Sequence, residues 1–208
     1  MAKEIELKYR VQGCLRNMQI FGHPAIAKRR KKLHIHYYES VYLDTPDGDV
    51  EKSGLSIRGR SEDDVLYIYA KKWDSGEGAL STRDEWRAKS NDLPNAARIL
   101  ARRGAPTKHL IDKRLIVTGH VTFKRIECLV MPKPGFSYMF SYDVGFFAKK
   151  FKFDEIELEL VEGTKEDLIA AGEELAKDLW LTPETKSKHE RAIFYNKIRP
   201  FGLKEEKV

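Results

Sequence analysis

The chain has 208 residues, of which 34% are charged and 41% are hydrophobic, and its formal net charge is +6. This length suits one domain, 1–208, with a proper core, and no apolar stretch is long enough to predict a membrane span. The positive charge favours anionic partners such as phosphates, nucleic acid or acidic membranes, without choosing among them.

Cysteine usage indicates a reducing compartment. Cys14 and Cys128 are the only cysteines, and they show neither CxxC spacing nor a repeated Cys/His pattern. A disulfide framework or a structural zinc site is therefore not indicated. The chain enters a strand pattern at Glu4 and has no apolar segment there of the kind that a signal peptide needs. We therefore predict a cytoplasmic protein with no membrane partner.

The first predicted strand alternates charged and apolar residues. Residues 4–8, EIELK, send the charged side chains to one face, and these are Glu4, Glu6 and Lys8. Residues 155–159, EIELE, repeat the pattern near the other end with Glu155, Glu157 and Glu159. Each segment alone could be the wet face of a sheet. Together they predict an acidic site for metal ions.

The rest of the chain carries more strand signals than helix signals. Further strands are predicted at 36–43, 55–60, 65–72, 81–89, 114–130, 137–144 and 153–161, with a glycine-rich loop at 74–78. Helices are predicted at 94–104, 164–179 and 186–197. These signals favour an antiparallel sheet, and no repeat or linker divides the chain.

Basic residues also recur at strand spacing. The candidates are Arg58, Arg60, Arg83, Arg87, Arg125, Lys188 and Arg191. A pair of strand arginines usually lies on a surface. In a closed barrel, however, one face of each strand points into the lumen, where like charges repel unless a ligand or metal compensates them. Such a lumen would suit a polyanion together with Mg²⁺ or Mn²⁺.

Several motifs, taken in order, resemble those of the CYTH domain, the triphosphate tunnel metalloenzymes. EIELK resembles the ExExK signature of that family, and further matches are YLDTP at 42–46, GLSIRGR at 54–60, RDEW at 83–86, FKR at 123–125, SYDVG at 141–145 and EIELE at 155–159. Each motif is weak alone, but their conjunction in this order is specific. The order is most similar to the bacterial inorganic triphosphatase branch.

The resemblance implies an α+β fold, an antiparallel eight-stranded β-barrel with a charged lumen and helices packed outside. The implied metal ligands are Glu4, Glu6, Glu157 and Glu159, with Glu155 as a further candidate. The implied triphosphate contacts are Lys8, Arg58, Arg60, Lys71, Arg83, Arg125, Lys188 and Arg191. Lys8, Glu85 and Asp143 would be catalytic, the two acids by orienting the cations or positioning the water.

The implied reaction is metal-dependent hydrolysis of inorganic tripolyphosphate to pyrophosphate and phosphate, with attack of a metal-activated water on the terminal phosphoryl group. Two alternatives stay open. One is a class IV adenylyl cyclase that makes cyclic AMP from ATP. The other is a non-catalytic binder of polyphosphate or of 5′-triphosphorylated RNA, to which the basic run at 28–32 would contribute. Nucleic acid is not the favoured partner, and a homodimer is left open.

Two departures from the family pattern concern charge. YAKK at 69–72 stands where the family has T-x-K-G, so either Lys71 or Lys72 could face the tunnel. Arg87 stands where many relatives have a carboxylate, which removes one metal or base role and adds a cation.

The three tryptophans are predicted to be packing residues, and they are Trp73, Trp86 and Trp180.

Overall fold

The computed structural model describes residues 2–13, 15, 17–62 and 64–198. The strands are β1 Ala2–Arg10, β2 His34–Asp44, β3 Leu55–Glu62, β4 Val65–Glu77, β5 Leu80–Lys89, β6 Ile116–Lys133, β7 Phe136–Phe147, β8 Phe151–Glu162 and β9 Thr182–Pro183. The helices are α1 Asn17–Phe21, α2 Pro24–Ala27, α3 Asp49–Lys52, α4 Ala96–Ala101, α5 Lys165–Asp178 and α6 Lys188–Ile198, with a 3₁₀ turn at Lys108–Leu110.

Eight of these strands close into an antiparallel barrel. The strand order is β5-β4-β3-β2-β6-β7-β8-β1, and pairing of β1 with β5 completes the circle, while the short β9 adds to β1. Closure leaves no long open edge among the described strands. The predicted eight-stranded antiparallel barrel with helices outside is confirmed.

The pairing register places the charged rows of neighbouring strands on one face. Glu6 of β1 lies opposite Glu159 of β8, and Lys8 lies opposite Glu157. Residues directly opposite each other on paired strands send their side chains to the same side of the sheet. The charged halves of the alternating strands therefore meet inside the barrel.

The apolar halves of the same strands form the core outside the barrel. Leu7 and Leu158 pack with Leu168 and Leu175 of α5, and all four are buried. Thr164 caps this helix, because its hydroxyl accepts a hydrogen bond from the backbone N–H of Asp167. Helix α5 thus covers the apolar face that the strand pattern creates.

Short helices account for most differences from the predicted elements. The sequence did not predict α1, α2 or α3, which have five or four residues each. At α3, the Asp44 carboxylate accepts hydrogen bonds from the N–H groups of Val50 and Glu51. Such a local contact forms a single turn without the apolar periodicity that marks longer helices. The helix predicted at 94–104 is also shorter, because α4 covers Ala96–Ala101.

Strand β4 continues through most of the segment predicted to be a glycine-rich loop. It runs to Glu77, and its pairing with β5 shifts register between Trp73 and Ser75. A β-bulge of this kind accommodates glycine within a strand.

Cys128 is a buried free thiol, whereas Cys14 lies outside the described residues.

Helix α6 packs against β6, where Gly119 allows a close approach. A Cβ atom at Gly119 would lie 2.9 Å from the Cβ of Ala192. At the start of α6, Ser187 and Glu190 form a capping box: the Ser187 N–H donates to Glu190 Oε2 and the Glu190 N–H donates to Ser187 Oγ. The first turn of α6, which carries Lys188, is therefore fixed beside the barrel.

None of the described helices is long and apolar enough to cross a membrane.

We predict that Leu158→Ala lowers the free energy of unfolding by about 2–5 kcal/mol, because it leaves a cavity beneath α5. Urea denaturation of the metal-free protein measures this change. The matched control is Val161→Ala on the same strand, since Val161 is 59% exposed and its truncation should cost less than about 1 kcal/mol. Equal costs for the two variants would contradict the assignment of the core to the outside of the barrel.

Candidate functional site

The barrel encloses a charged cavity of about 550 Å³. Most of the predicted site residues line it. The acidic ones are Glu4, Glu6, Glu85, Glu157 and Glu159. The basic ones are Lys8, Arg58, Arg60, Lys71, Arg83, Arg125 and Lys188. The structure thus brings residues from seven different elements to one enclosed space.

At the α6 end of the cavity, Lys188 is surrounded by carboxylates. Its Nζ lies 2.8 Å from Asp143 Oδ2 and 2.8 Å from Glu157 Oε1, and it also forms an ion pair with Glu155. The three carboxylates offer oxygens within 4.8 Å of one another, a geometry that could hold a metal ion. In this arrangement, however, the ammonium group already lies among them.

Two arginines complete the neutralisation of this cluster. Arg125 donates two hydrogen bonds of 2.7 Å to Asp143 and also pairs with Glu157, while Arg191 pairs with Glu155. Burial opposes the charged form of Glu157, but Lys188 and Arg125 outweigh it and hold its pKa well below the usual range. Three carboxylates thus face three cations.

Asp143 and Arg191 do not reach the cavity. Asp143 is 0% exposed, and its carboxylate is occupied by Arg125 and Lys188. Arg191 lines a neighbouring cavity and lies 3.5 Å from Glu184. Both side chains hold charged neighbours in place rather than facing the enclosed space.

A second group of carboxylates lies on the neighbouring strands β1 and β8 and consists of Glu4, Glu6 and Glu159. Glu6 lies 3.3 Å from Lys8 Nζ and 3.2 Å from Arg83 Nη1. Burial opposes its ionisation, but Lys8 and Arg83 outweigh both burial and repulsion from Glu157, and they lower its pKa to about 2. Glu4 is paired with Lys71, whose Nζ donates a hydrogen bond of 2.7 Å.

Glu159 is the carboxylate of this group that lacks a cation. Within the described residues, its side chain forms neither an ion pair nor a hydrogen bond. Burial, followed by repulsion from Glu4 and Glu6, raises its pKa to about 7. Although more than a third of the residue is exposed, it lines the cavity, where the neighbouring carboxylates are concentrated. This position lacks a positive charge.

Two cations of the cavity, Arg58 and Arg60, form no ion pair among the described residues. Arg60 Nε donates to Ser40 Oγ at 3.2 Å, and the Arg58 guanidinium lies 4.7 Å from the centre of the Tyr69 ring. Among the described residues, neither guanidinium pairs with a carboxylate, and Arg58 Nε is buried without a hydrogen-bond partner. Burial, followed by repulsion from Arg58 and Arg125, lowers the pKa of Arg60 to about 10. Burial also opposes the charged form of Arg58, but Tyr42 and the carboxylates of Glu85 and Glu4 outweigh it and raise its pKa. Among the described residues, the position that lacks an anion is therefore that of Arg60.

The structure also shows where the side chains lie at the two places where the sequence departs from the charge pattern of the family. Lys71 lines the cavity and Lys72 is exposed outside it. Arg87 lines the cavity too, but its guanidinium is engaged at the rim. It lies 3.7 Å from the centre of the Tyr67 ring and donates to Glu62 at 2.7 Å.

The tryptophan prediction is wrong for two of the three residues. Trp86 is buried, but Trp73 is 52% exposed and Trp180 is 80% exposed. Trp73 lines the cavity, as does His189, and neither was predicted as a site residue. Strand parity was an available signal for Trp73, because it lies two residues after Lys71. No sequence signal identified His189.

Comparisons with known proteins bear on the family and the fold. The chain matches the family model of the CYTH domain over residues 2–193, which confirms the resemblance found in the sequence. No curated protein matches the chain significantly.

Three solved structures share the fold at low sequence identity. One, from Hippeastrum, is described as a candidate adenylyl cyclase with a dominant triphosphatase activity; it is 16% identical, with coverage of 95% and 98% of the two chains and a TM-score of 0.65. A candidate adenylate cyclase from Bacillus halodurans is 15% identical, with coverage of 92% and 98% and a TM-score of 0.58. The PH1819 protein of Pyrococcus horikoshii is 20% identical, with coverage of 93% and 99% and a TM-score of 0.56.

We predict that Glu159→Gln stabilises the metal-free protein at neutral and alkaline pH. The folded-state pKa of about 7 lies above the ordinary value of 4.5, so the wild type loses stability as pH rises through this window. The variant should avoid this loss and gain on the order of 1 kcal/mol at pH 8, less than the full shift because cavity water screens the repulsion.

Urea denaturation in the presence of a chelator, at pH values from 4 to 8, measures the difference. The matched control is Glu162→Gln, an exposed glutamate on the same strand that does not line the cavity. A gain that is absent, or that is equally large at pH 4, would contradict the assignment of excess negative charge to Glu159.

Proposed function

The chain belongs to the CYTH domain family, and from that premise we propose that it is a divalent-metal-dependent triphosphatase. Its leading substrate is inorganic tripolyphosphate, which it hydrolyses to pyrophosphate and phosphate in the cytoplasm. One observation carries the proposal: among the described residues, a single cavity contains a carboxylate that forms no ion pair, Glu159, and two guanidinium groups that form none, Arg58 and Arg60. A triphosphate bound together with a divalent cation would satisfy both deficiencies.

Glu4, Glu6 and Glu159 offer carboxylate oxygens, the ligands that Mg²⁺ and Mn²⁺ prefer. Among the described residues, however, only Asp143, Glu155 and Glu157 bring carboxylate oxygens within 4.8 Å of one another, so Glu4, Glu6 and Glu159 would have to move together to hold a cation. The raised pKa of Glu159 supports this assignment, because its charged form is disfavoured until a cation is present. Glu157, the fourth ligand predicted from the sequence, would join them only by exchanging its ion pairs with Lys188 and Arg125. When bound, the metal would neutralise charge on phosphate oxygens and lower the pKa of the attacking water.

The basic side chains would hold the phosphates. Arg58 and Arg60 present planar two-pronged donors, which match phosphate oxygens better than a point charge does. Lys8 and Lys188 would add positive charge, as would Lys71, Arg83 and Arg125. Because phosphoryl transfer depends on in-line positioning and charge neutralisation, no nucleophilic side chain is required.

Two acids would act through different routes. Glu85 lines the cavity 3.1 Å from Lys71 Nζ, where it would hold that ammonium group or position the water. Asp143 is enclosed, so we assign it the role of a positioning residue that fixes Arg125 and Lys188 toward the substrate. The activity stated for the Hippeastrum relative supports hydrolysis over cyclisation.

The proposal is tested by phosphate release from tripolyphosphate with Mg²⁺, with Mn²⁺ and with a chelator. Rapid release only with metal is the expected result. Formation of cyclic AMP and pyrophosphate from ATP would favour the cyclase instead. Tight binding without turnover would favour a non-catalytic binder.

We predict that Arg58→Lys and Arg60→Lys each lower kcat/KM for tripolyphosphate by about tenfold or more, about 1.4 kcal/mol each. Lysine keeps the charge but loses the planar fork, so the loss measures geometry rather than net charge. Steady-state phosphate release with saturating metal provides the measurement.

The control for these arginine variants removes charge from the surface. Lys31 and Lys32 are exposed in the basic run, and their replacement by alanine should affect only salt-sensitive, long-range attraction. The opposite outcome, silent arginine variants and lost ligand binding in the Lys31/Lys32 double variant, would favour a surface polyanion binder over a tunnel hydrolase.

A further inference from the structure

Trp180 combines high exposure with an unfavourable backbone conformation. The residue is 80% exposed and has a φ of 55°. It follows the end of α5, where the N–H of Leu181 donates a hydrogen bond of 2.9 Å to the carbonyl of Ala176 and closes the helix. Glycine is the usual residue at this position, because a side chain disfavours a positive φ. The indole of Trp180 therefore neither suits its backbone nor adds to the core.

An exposed tryptophan that does not serve folding is typical of a contact surface, since tryptophan and arginine are enriched among the residues that contribute most to protein–protein binding. The helix next to this tryptophan is acidic. Glu166, Glu173 and Glu174 of α5 are exposed and form no ion pair within the described ranges, and Lys177 is an exposed base among them. We call Trp180 and these three glutamates the acidic face.

The segment 98–114 carries the opposite charge, and we call it the basic segment. It contains six lysine and arginine residues and one acidic residue, Asp112. Arg98 pairs with Asp112, and Lys113 pairs with Asp49. The other four cations are exposed and form no ion pair in the described part of the chain, and they are Arg102, Arg103, Lys108 and Arg114. Guanidinium groups of this kind bind carboxylates and pack on indole rings.

The acidic face and the basic segment lie on opposite sides of the barrel. Leu168 of α5 belongs to the same buried cluster as Leu158 of β8, whereas Leu100 of α4 belongs to the same buried cluster as Ile57 of β3. In the closed ring of strands, β3 lies directly across from β8. One copy of the chain cannot bring the two surfaces together, but two copies can.

We propose that the acidic face of one copy binds the basic segment of a second copy, with Trp180 as the anchor of the contact and Arg102 and Arg103 against it. Charge selects this head-to-tail arrangement, because each surface would repel its own counterpart in a two-fold contact. Each pair of copies keeps one free surface of each kind, so further copies add to it. None of the residues named lines the barrel cavity, and the contact is independent of the proposed function.

Sedimentation velocity of the full chain over a range of protein concentrations tests the contact. The average mass should rise past that of a dimer as concentration increases, and it should fall when salt screens the charges. A mass that stays at the monomer, or that stops at the dimer, would overturn the proposal.

Two double variants identify the surfaces. Arg102→Ala with Arg103→Ala keeps the acidic face, and Glu173→Gln with Glu174→Gln keeps the basic segment. Each variant alone should self-associate about tenfold or more weakly than the wild type. A mixture of the two should form one-to-one dimers and nothing larger, because a single complementary pair of surfaces remains. A mixture that associates no better than its components would contradict the head-to-tail contact.

Trp180→Gly separates an anchor from a structural residue. Glycine accepts a positive φ, so the variant should raise the urea midpoint at a concentration where the chain is monomeric. It should also weaken self-association by about tenfold or more, because the indole is lost. A lowered urea midpoint, or unchanged association, would show that the indole does not act as the anchor.

The matched control is Lys31→Ala with Lys32→Ala, which removes as much charge as the arginine double variant from another exposed basic site. This control should associate like the wild type. Lost association in the control together with wild-type association in the arginine variant would assign the contact to the basic run at 28–32 and overturn the proposal.

Discussion

Enclosed charge is the constraint on which this molecule depends. Moving an ion from water into a folded protein costs several kcal/mol unless a partner compensates it. At the α6 end of the cavity, Lys188, Arg125 and Arg191 compensate Asp143, Glu155 and Glu157 within the protein. At Glu159 and Arg60, compensation by the described residues is incomplete. These unmatched charges are the basis for proposing that the cavity binds ligands.

One sequence pattern builds both the site and the support for it. Alternation along β1 and β8 sends Glu6 and Glu159 into the cavity and Leu7 and Leu158 beneath α5. A shift of one residue in either strand would exchange the two faces, burying carboxylates among apolar side chains. Apolar packing outside the barrel thereby fixes the register that holds the carboxylates together inside. Stability and the proposed chemistry are coupled through this register.

The barrel and most residues that face its cavity could be predicted because the resemblance to the CYTH domain supplied the strand number and the site residues, and strand parity placed charged side chains on one face of each strand. Parity could not reveal which charges are already paired. That Glu157 is held by Lys188 depends on where α6 packs, and α6 comes close to the barrel because Gly119 has no side chain. The enclosure of Asp143 follows from the same packing. His189 was missed because a single histidine in a helix carries no pattern, and Trp73 because tryptophans were assigned to packing by residue type.

The central claim is that one cavity has complementary places for a divalent cation and a triphosphate. Calorimetric titration of Mg²⁺ or Mn²⁺ and of tripolyphosphate, each alone and each in the presence of the other, tests it most directly, with unreacted ligand verified during the measurement. Linkage requires that each ligand change the affinity of the protein for the other by the same factor. The account predicts that both affinities rise, and by more than the binding of metal to free tripolyphosphate explains. Binding of the two ligands without such coupling would contradict the account.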